Sequence, residues 1–531
     1  MESSILPAEL VTAVLQEIKA KRPICLCSYP LNDISLVERL AASPAESLSS
    51  THLACLHGVF YFILKEFSFF QHPLRQRFNL KDLTWECERR LDTFLETYNV
   101  LGVPSFGNIL ALTLGVIKAQ NQSKPLQACT LVSAAASHCQ TLGYNHDSTH
   151  GNSSNSRRLF WSVYMLEKQL SFYFQRASVI QDFDIDTAYP VCASKYPAQP
   201  RDELFFKEIE LAKVQSQIYQ EAFSKESLRL SHSERDKRIG KLAMDLQFRF
   251  SRLVPVVQTY NLENLRLFNV AQETWETKYH STFTTLLRAP PPSPPSDRDT
   301  RNDMSKPETN PGQTHIRPEC FKTAREALQS YLRCSRTHQY ALDNLDLPES
   351  SEVKMEREIG EFPDWTLLSA LLTPFIVIAL HTIASPPSLS SSEKDAQDKE
   401  KDLSLLASIV SSLEPLRSFS PATTRLHKFT SSLAKIAQGL NERRASMGPG
   451  TSQGDLFASA RGSGERRSVA SSIFSSGSQS ETRSVFQQVL DTDVLGFVGE
   501  GEVEEVFRVL EGWMGGSLNG VEVYGGLDGV F

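Results

Sequence analysis

The chain has no C-x2-C pair. Its nine cysteines in 531 residues are scattered, and only Cys25 and Cys27 stand close together. Structural zinc sites need closely paired thiolates, so zinc-site spacing is absent. The odd number and wide spacing also argue against a disulfide framework and suggest reduced thiols packed as small apolar groups. There is no Gly-rich loop to cradle a phosphate, no G-x-S-x-G elbow and no H-E-x-x-H pair. His146 and His150 are four apart, but in a polar loop without the glutamate that a zinc protease needs. His138, His280 and His381 are isolated and read as core or helix-surface residues. The N-terminus lacks a basic stretch before its apolar residues and is interrupted by acids, so it does not read as a signal peptide. The most apolar run, Thr366 to Ala384, carries three Thr, a Ser, Pro374 and His381. A spanning helix needs roughly 20 apolar residues, so this run is expected to be a buried core helix. The formal charge of −7 lacks the broad positive field that nucleic acid requires. Any DNA contact must be local or lie on another polypeptide.

What is present is helix. Apolar residues are 40% of the chain, enough for a sizeable core. Helical patterns follow one another from the N-terminus. His52 to Phe70 is apolar on most faces, as a central helix would be. The next pattern sets Leu83, Cys87, Leu91 and Leu95 on one face. In the helix ending at Gly143, Ala128, Ser133, Ala134, Ala135 and Ala136 permit close approach of a neighbour, and Gly143 is placed to stop it. No stretch alternates with period two over a useful length, so no sheet is expected.

The fold class expected is therefore all-α: a large irregular helical domain with disordered inserts and a disordered C-terminal tail. Residues 1–288 form its first part. Residues 289–318, rich in Pro and charge, read as a disordered insert. Residues 319–441 form the second part, with a polar insert at 385–401. Residues 442–485 read as a Ser-rich disordered tail. In it, Arg443 and Arg444 precede Ser446, and "GERRSVASS" surrounds Ser468, so both serines are candidate phosphorylation sites. Residues 486–531 hold nine acids and one base, Arg508, interleaved with Val, Leu, Phe and Trp. Acidic–hydrophobic segments of this kind fold on coactivator surfaces. A helix would gather Val503, Val506, Phe507, Leu510 and Trp513 on one side, either for a partner or docked on the protein's own body.

The densest stretch is "SRRLFWSVYMLEKQLSFYFQRASVIQDFDIDTAYP", Ser156 to Pro190. Leu159, Val163, Leu166, Leu170 and Phe174 form a buried stripe on a helix from about Arg157 to Phe174. Beyond a turn, Asp182, Asp184 and Asp186 alternate with Phe183 and Ile185. An EF-hand reading fails, because Thr187 stands where Gly is required and Ala193 where Glu is required. A magnesium wall of the terpenoid-synthase kind wants adjacent acids, and "DFDID" has none. The period of two fits an extended strap with Phe183 and Ile185 inward. Its carboxylates would accept hydrogen bonds from backbone N–H groups or from Arg176. The acids would then lock a connection rather than do chemistry.

This stretch resembles the signature of the fungal-specific transcription factor domain, the regulatory region of zinc-cluster activators such as xylanolytic regulators. Arg158, Phe160, Trp161, Tyr164, Arg176, Asp182, Asp184, Asp186 and Pro190 carry the resemblance. Glu167 stands where an Asp is usual, and Gln175-Arg176-Ala177 replaces the usual Gly-Arg-Pro. "HCQTLGYNHD", "EIELAKVQSQIYQEAFS", "HSTFTTLLRAP" and "TPFIVIALHTI" resemble further family pieces in the same order, so the resemblance spans roughly residues 1 to 440. It implies a nuclear regulator of RNA polymerase II transcription, not an enzyme, with coactivators or corepressors as partners, a small-molecule effector as a further candidate, and no membrane. The family's zinc binuclear cluster, six cysteines and a basic helix, has no counterpart here. No catalytic, metal or cofactor residue is therefore assigned. Zinc and DNA binding are expected only through a cysteine-rich segment preceding Met1 or through a partner protein. The rival readings are a DNA-free scaffold or corepressor on the same domain and a helical metal-dependent enzyme using "DFDID".

Overall fold

The computed structural model describes residues 6–20, 35–44, 47–69, 72–98, 103–147, 154–190, 200–253, 262–288, 318–343, 365–384, 393–417 and 421–446, with Val506, Val509 and Leu510 beyond them. The described residues contain helices and turns and no strand. The inserts expected at 289–318 and the serine at 468 lie outside them.

The first half runs through α1 (Ala8–Ala20), α2 (Ser35–Ala42), α3 (Ser50–Phe69), α4 (Leu80–Thr97), α5 (Phe106–Asn121), α6 (Pro125–Thr141) and α7 (Ser154–Tyr173). Then come α8 (Pro200–Ile218), α9 (His232–Leu253) and α10 (Leu262–Leu287). The second half holds α11 (Pro318–Asp343), α12 (Trp365–Ala384), α13 (Glu393–Leu413) and α14 (Pro421–Ser446). Neighbours in sequence pack pairwise: α3 on α4, α5 on α6, α6 on α7, α7 on α8, and α10 on α11.

Two helices are buried nearly all round, and they set the architecture. In α5 every residue from Ile109 to Gln120 is buried. Ser105 caps it, accepting from the Asn108 N–H. Gly115 lets α4 and α6 close on α5, since a Cβ there would sit 2.8 Å from Leu95 Cδ1. The one cation in this stretch, Lys118, is paired with Asp92 at 2.9 Å and Glu88 at 3.1 Å. The other is α12. It packs against α10, α11, α13 and α14 on one side and reaches α5 and α7 on the other. The run from Thr366 to Ala384 is thus a core helix joining the two halves, and no helix among the described residues is long and apolar enough to cross a membrane.

The expected faces are largely present. Cys87 and Leu91 of α4 are fully buried, and Ala128, Ala135 and Ala136 of α6 lie at the interfaces with α5 and α7. Gly143 ends α6 with a positive φ of 68°. Cys55, Cys87, Cys129, Cys139, Cys320 and Cys334 are free and buried. Burial pushes the thiols of Cys55, Cys87 and Cys320 up to about 12, which leaves them protonated and unreactive.

Two boundaries need correction. The polar insert at 385–401 is too long, because α13 begins at Glu393. The charged run "EKDAQDKEK" is rich in good helix formers, and local pairs such as Lys401–Asp398 at 3.1 Å support it. The tail expected from residue 442 does not begin there, since α14 continues to Ser446. Of the two readings left open for the C-terminal segment, docking on the protein's own body matches Val506, Val509 and Leu510, which are buried in the main core. Phe507 and Trp513 lie outside the described residues.

Asp402 clamps the second half. Its carboxylate, 1% exposed, receives Arg325 Nε at 2.6 Å and Nη2 at 2.7 Å, a bidentate pair between α13 and α11. His381 Nδ1 of α12 lies 3.5 Å away. Burial raises the carboxyl's pKa, but the hydrogen bonds and charges of Arg325 and His381 outweigh it and hold Asp402 below its ordinary value. A depressed carboxyl contributes stability above its unfolded value and loses it as pH falls through the folded one. Asp402→Ala is expected to cost about 3 kcal/mol in urea unfolding at pH 7, the low end for a broken buried pair because Arg325 is partly exposed. The difference between variant and wild type should shrink below about pH 4. A pH-independent difference would contradict the clamp.

Candidate functional site

The signature forms a welded knot. Helix α7 is buried at every position from Arg158 to Tyr173 except Met165, so the expected stripe is only part of its buried surface. Its C-terminus closes in a Schellman motif: Arg176 N–H donates to Ser171 O at 3.0 Å and Gln175 N–H to Phe172 O at 3.1 Å. Gln175 occupies the left-handed position with φ 47°, the place where the related signature has glycine. A non-glycine residue there carries roughly 1 kcal/mol of strain. Glu167 compensates. It is fully buried and accepts from Ser171 Oγ (2.7 Å), Val179 N–H (2.8 Å) and Ser178 Oγ (2.5 Å). The longer acid thereby spans the turn and fixes both of its sides.

The strap follows. Asp182–Asp184 is a short 3-10 turn rather than extended chain. Phe183 points outward, 88% exposed, and Ile185 alone packs on the core. The turn inverts the expected inward pattern because it follows the 3-10 period rather than the strand period. Asp182 has its own partners, whereas Asp184 and Asp186 share Asn145 and His146. Asp182 Oδ1 accepts from Tyr164 OH at 2.6 Å, and its Oδ2 from Ser216 Oγ at 2.5 Å and Lys168 Nζ at 3.2 Å. Lys168 is 1% exposed and also donates to Ile180 O at 2.6 Å. Burial pushes its pKa down, opposed by the charges of Asp182 and Glu167. Asp184 is held by Asn145, which donates to its backbone carbonyl at 2.8 Å. Asp186 accepts from the Asp147 N–H at 2.9 Å. Asp147 in turn accepts from the Ala188 N–H at 3.1 Å. His146 Nδ1 lies 3.3 Å from Asp186.

The aromatic and basic residues complete the lock. Trp161 Nε1 donates to Ala188 O at 3.0 Å. Lys213 sits 5.1 Å from the Trp161 ring and 4.5 Å from the Tyr189 ring. Phe160 and Tyr164 pack beside Trp161, and Pro190 is buried at the strap's end. Arg158 is buried with its guanidinium 4.2 Å from the Phe205 ring, joining α7 to α8 instead of marking a helix end. Arg176 does not reach the acids. It donates to Ser133 Oγ of α6 at 3.3 Å. The residues that the sequence reading missed are Lys168, Ser216, Asn145 and Asp147. Only "YNHD", adjacent to the polar loop, gave a local signal of turn-forming polar groups.

Among the described residues no three His, Cys, Asp or Glu side chains converge as a group able to hold a metal ion. Most of the site's charged and hydroxyl groups pair with one another, linking the strap to α7 and α8. Residues 90–277, from within α4 to within α10, match the fungal specific transcription factor domain. Over that span, about a third of the chain, the protein is similar to the regulatory region of fungal transcription factors. The match covers less than the span of roughly 1 to 440 expected from resemblance, yet α12 and α14 beyond it share the same core. No curated protein and no solved structure matches the chain.

If the acids are structural, they are unequal. Asp182→Ala strands a fully buried amine and is expected to cost about 3 kcal/mol. Asp184→Ala and Asp186→Ala, whose carboxylates are mostly solvated, should each cost under about 1 kcal/mol. Equal losses in chemical denaturation, or a loss of divalent-ion binding by calorimetry common to all three, would contradict this.

Proposed function

We propose that the chain regulates RNA polymerase II transcription in a fungal nucleus, as a body that holds or releases an activating segment. The observation that carries this is the burial of Val506, Val509 and Leu510 in the main core. These three residues of the acidic–hydrophobic segment pack on the same core as the matched domain. Residues 1–288 and 319–441 act as one regulatory unit, supported by a single buried cluster running from Leu6 to Ala437. With its formal charge of −7, the chain reaches DNA through another domain or a partner protein, where any zinc would also reside. Coactivators are the expected partners, and Ser446 and Ser468 the candidate phosphorylation sites. A ligand or partner that prefers the released state would shift the population toward it.

The test fuses residues 486–531, and separately the whole chain, to an unrelated DNA-binding domain in a yeast reporter. The short fusion should activate, and the whole chain should be several-fold weaker at equal abundance. A silent short fusion at normal abundance contradicts the proposal. Repression by both fusions would instead support the corepressor reading.

A further inference from the structure

Beside the knot lies a cleft of about 110 Å³, between the Gln175–Ser178 turn and the end of α8. Two independent features meet there. First, two polar atoms in its wall are buried without a hydrogen-bond partner: Arg176 Nε and Gln215 Oε1. Gln215 is fully buried, and its amide nitrogen is committed to Thr282 Oγ1 at 3.0 Å, so the orphaned oxygen is fixed in direction. Orphaned buried polar atoms are rare and call for a partner. Second, the far wall is a π-helical turn, Tyr219–Phe223, which closes with the Ser224 N–H on Tyr219 O at 2.8 Å. Such turns are uncommon and cluster at functional sites. Tyr219 and Gln220 line the cleft.

The charges indicate the ligand. Lys168 lines the cleft, but Asp182 neutralises it. Arg176 has no carboxylate within ion-pair distance among the described residues, so its guanidinium is the uncompensated charge. A ligand must bring an acceptor to Arg176 Nε and a donor to Gln215 Oε1, and Phe172 gives the cleft an apolar wall. A cavity of roughly 150 Å³ holds benzene, so the ligand has about half a dozen heavy atoms. We propose that this cleft binds a small hydroxycarboxylate, its carboxylate on Arg176 and its hydroxyl on Gln215. Calling that ligand an effector rests on the regulatory reading; the binding itself does not.

The experiment titrates the purified full chain with L-lactate and D-glycerate, followed by ligand-observed NMR and thermal shift. Acetate, which lacks the donor, and lactamide, which lacks the charge, serve as comparators. Both hydroxycarboxylates should bind and raise the melting temperature, with each comparator about tenfold weaker. Arg176→Gln, checked for folding by circular dichroism, should weaken lactate by at least about tenfold. If that variant unfolds, the wild-type comparators decide the matter alone. Three results overturn the site: no binding by either hydroxycarboxylate, acetate and lactamide equal to lactate, or a folded Arg176→Gln that binds normally. Because no reporter is involved, failure here leaves the transcription result standing.

Discussion

The arrangement around α7 depends on one buried amine. Lys168 sits in the middle of a fully packed helix, where an unpaired ammonium would be very costly. It is tolerated because Asp182, Ile180 O and Ser216 Oγ converge on it. Those three partners come from the strap and from α8. Meeting the demand of one charge therefore draws two further segments against α7. Tyr164, which donates to the same carboxylate, makes the point geometrically specific.

Around that point the rest of the signature falls into place. Glu167 fixes the turn before the strap, and Asn145 and Asp147 fix the strap from the end of α6. Trp161, Tyr189 and Lys213 close it on the outside. A buried polar network that is fully satisfied rigidifies its surroundings. Arg176 Nε and Gln215 Oε1 are among the buried atoms left without a partner, and they border the cleft beside the knot. A rigid frame with unsatisfied groups facing a cleft suits a body that responds to a ligand, and α12 links that frame to the second half.

Much of this was legible in the sequence because helical periodicity and burial report the same thing. The faces of α4, α6 and α7 and the core nature of Thr366 to Ala384 follow from spacing alone. What was not legible depends on tertiary partners. Nothing local marks Lys168 as buried, since Lys is ordinarily a surface residue. Phe183 was expected inward because alternation suggests a strand, and a three-residue turn reverses its side. Gln175 gives no hint of a positive φ, which only the Schellman closure imposes. The start of α13 was hidden because a charged run reads equally as an insert or as a solvated helix. The burial of Val506 and Leu510 needed the body on which they dock.

The central claim is that Lys168 and Asp182 hold the knot as a coupled pair. A double-mutant cycle with Lys168→Met and Asp182→Asn, read by urea unfolding, tests it directly. The pair is expected to show a coupling energy well above about 1 kcal/mol, with the double variant less damaged than the sum of the singles. Additive losses, with a coupling energy near zero, would show that the two residues act independently and would contradict the account.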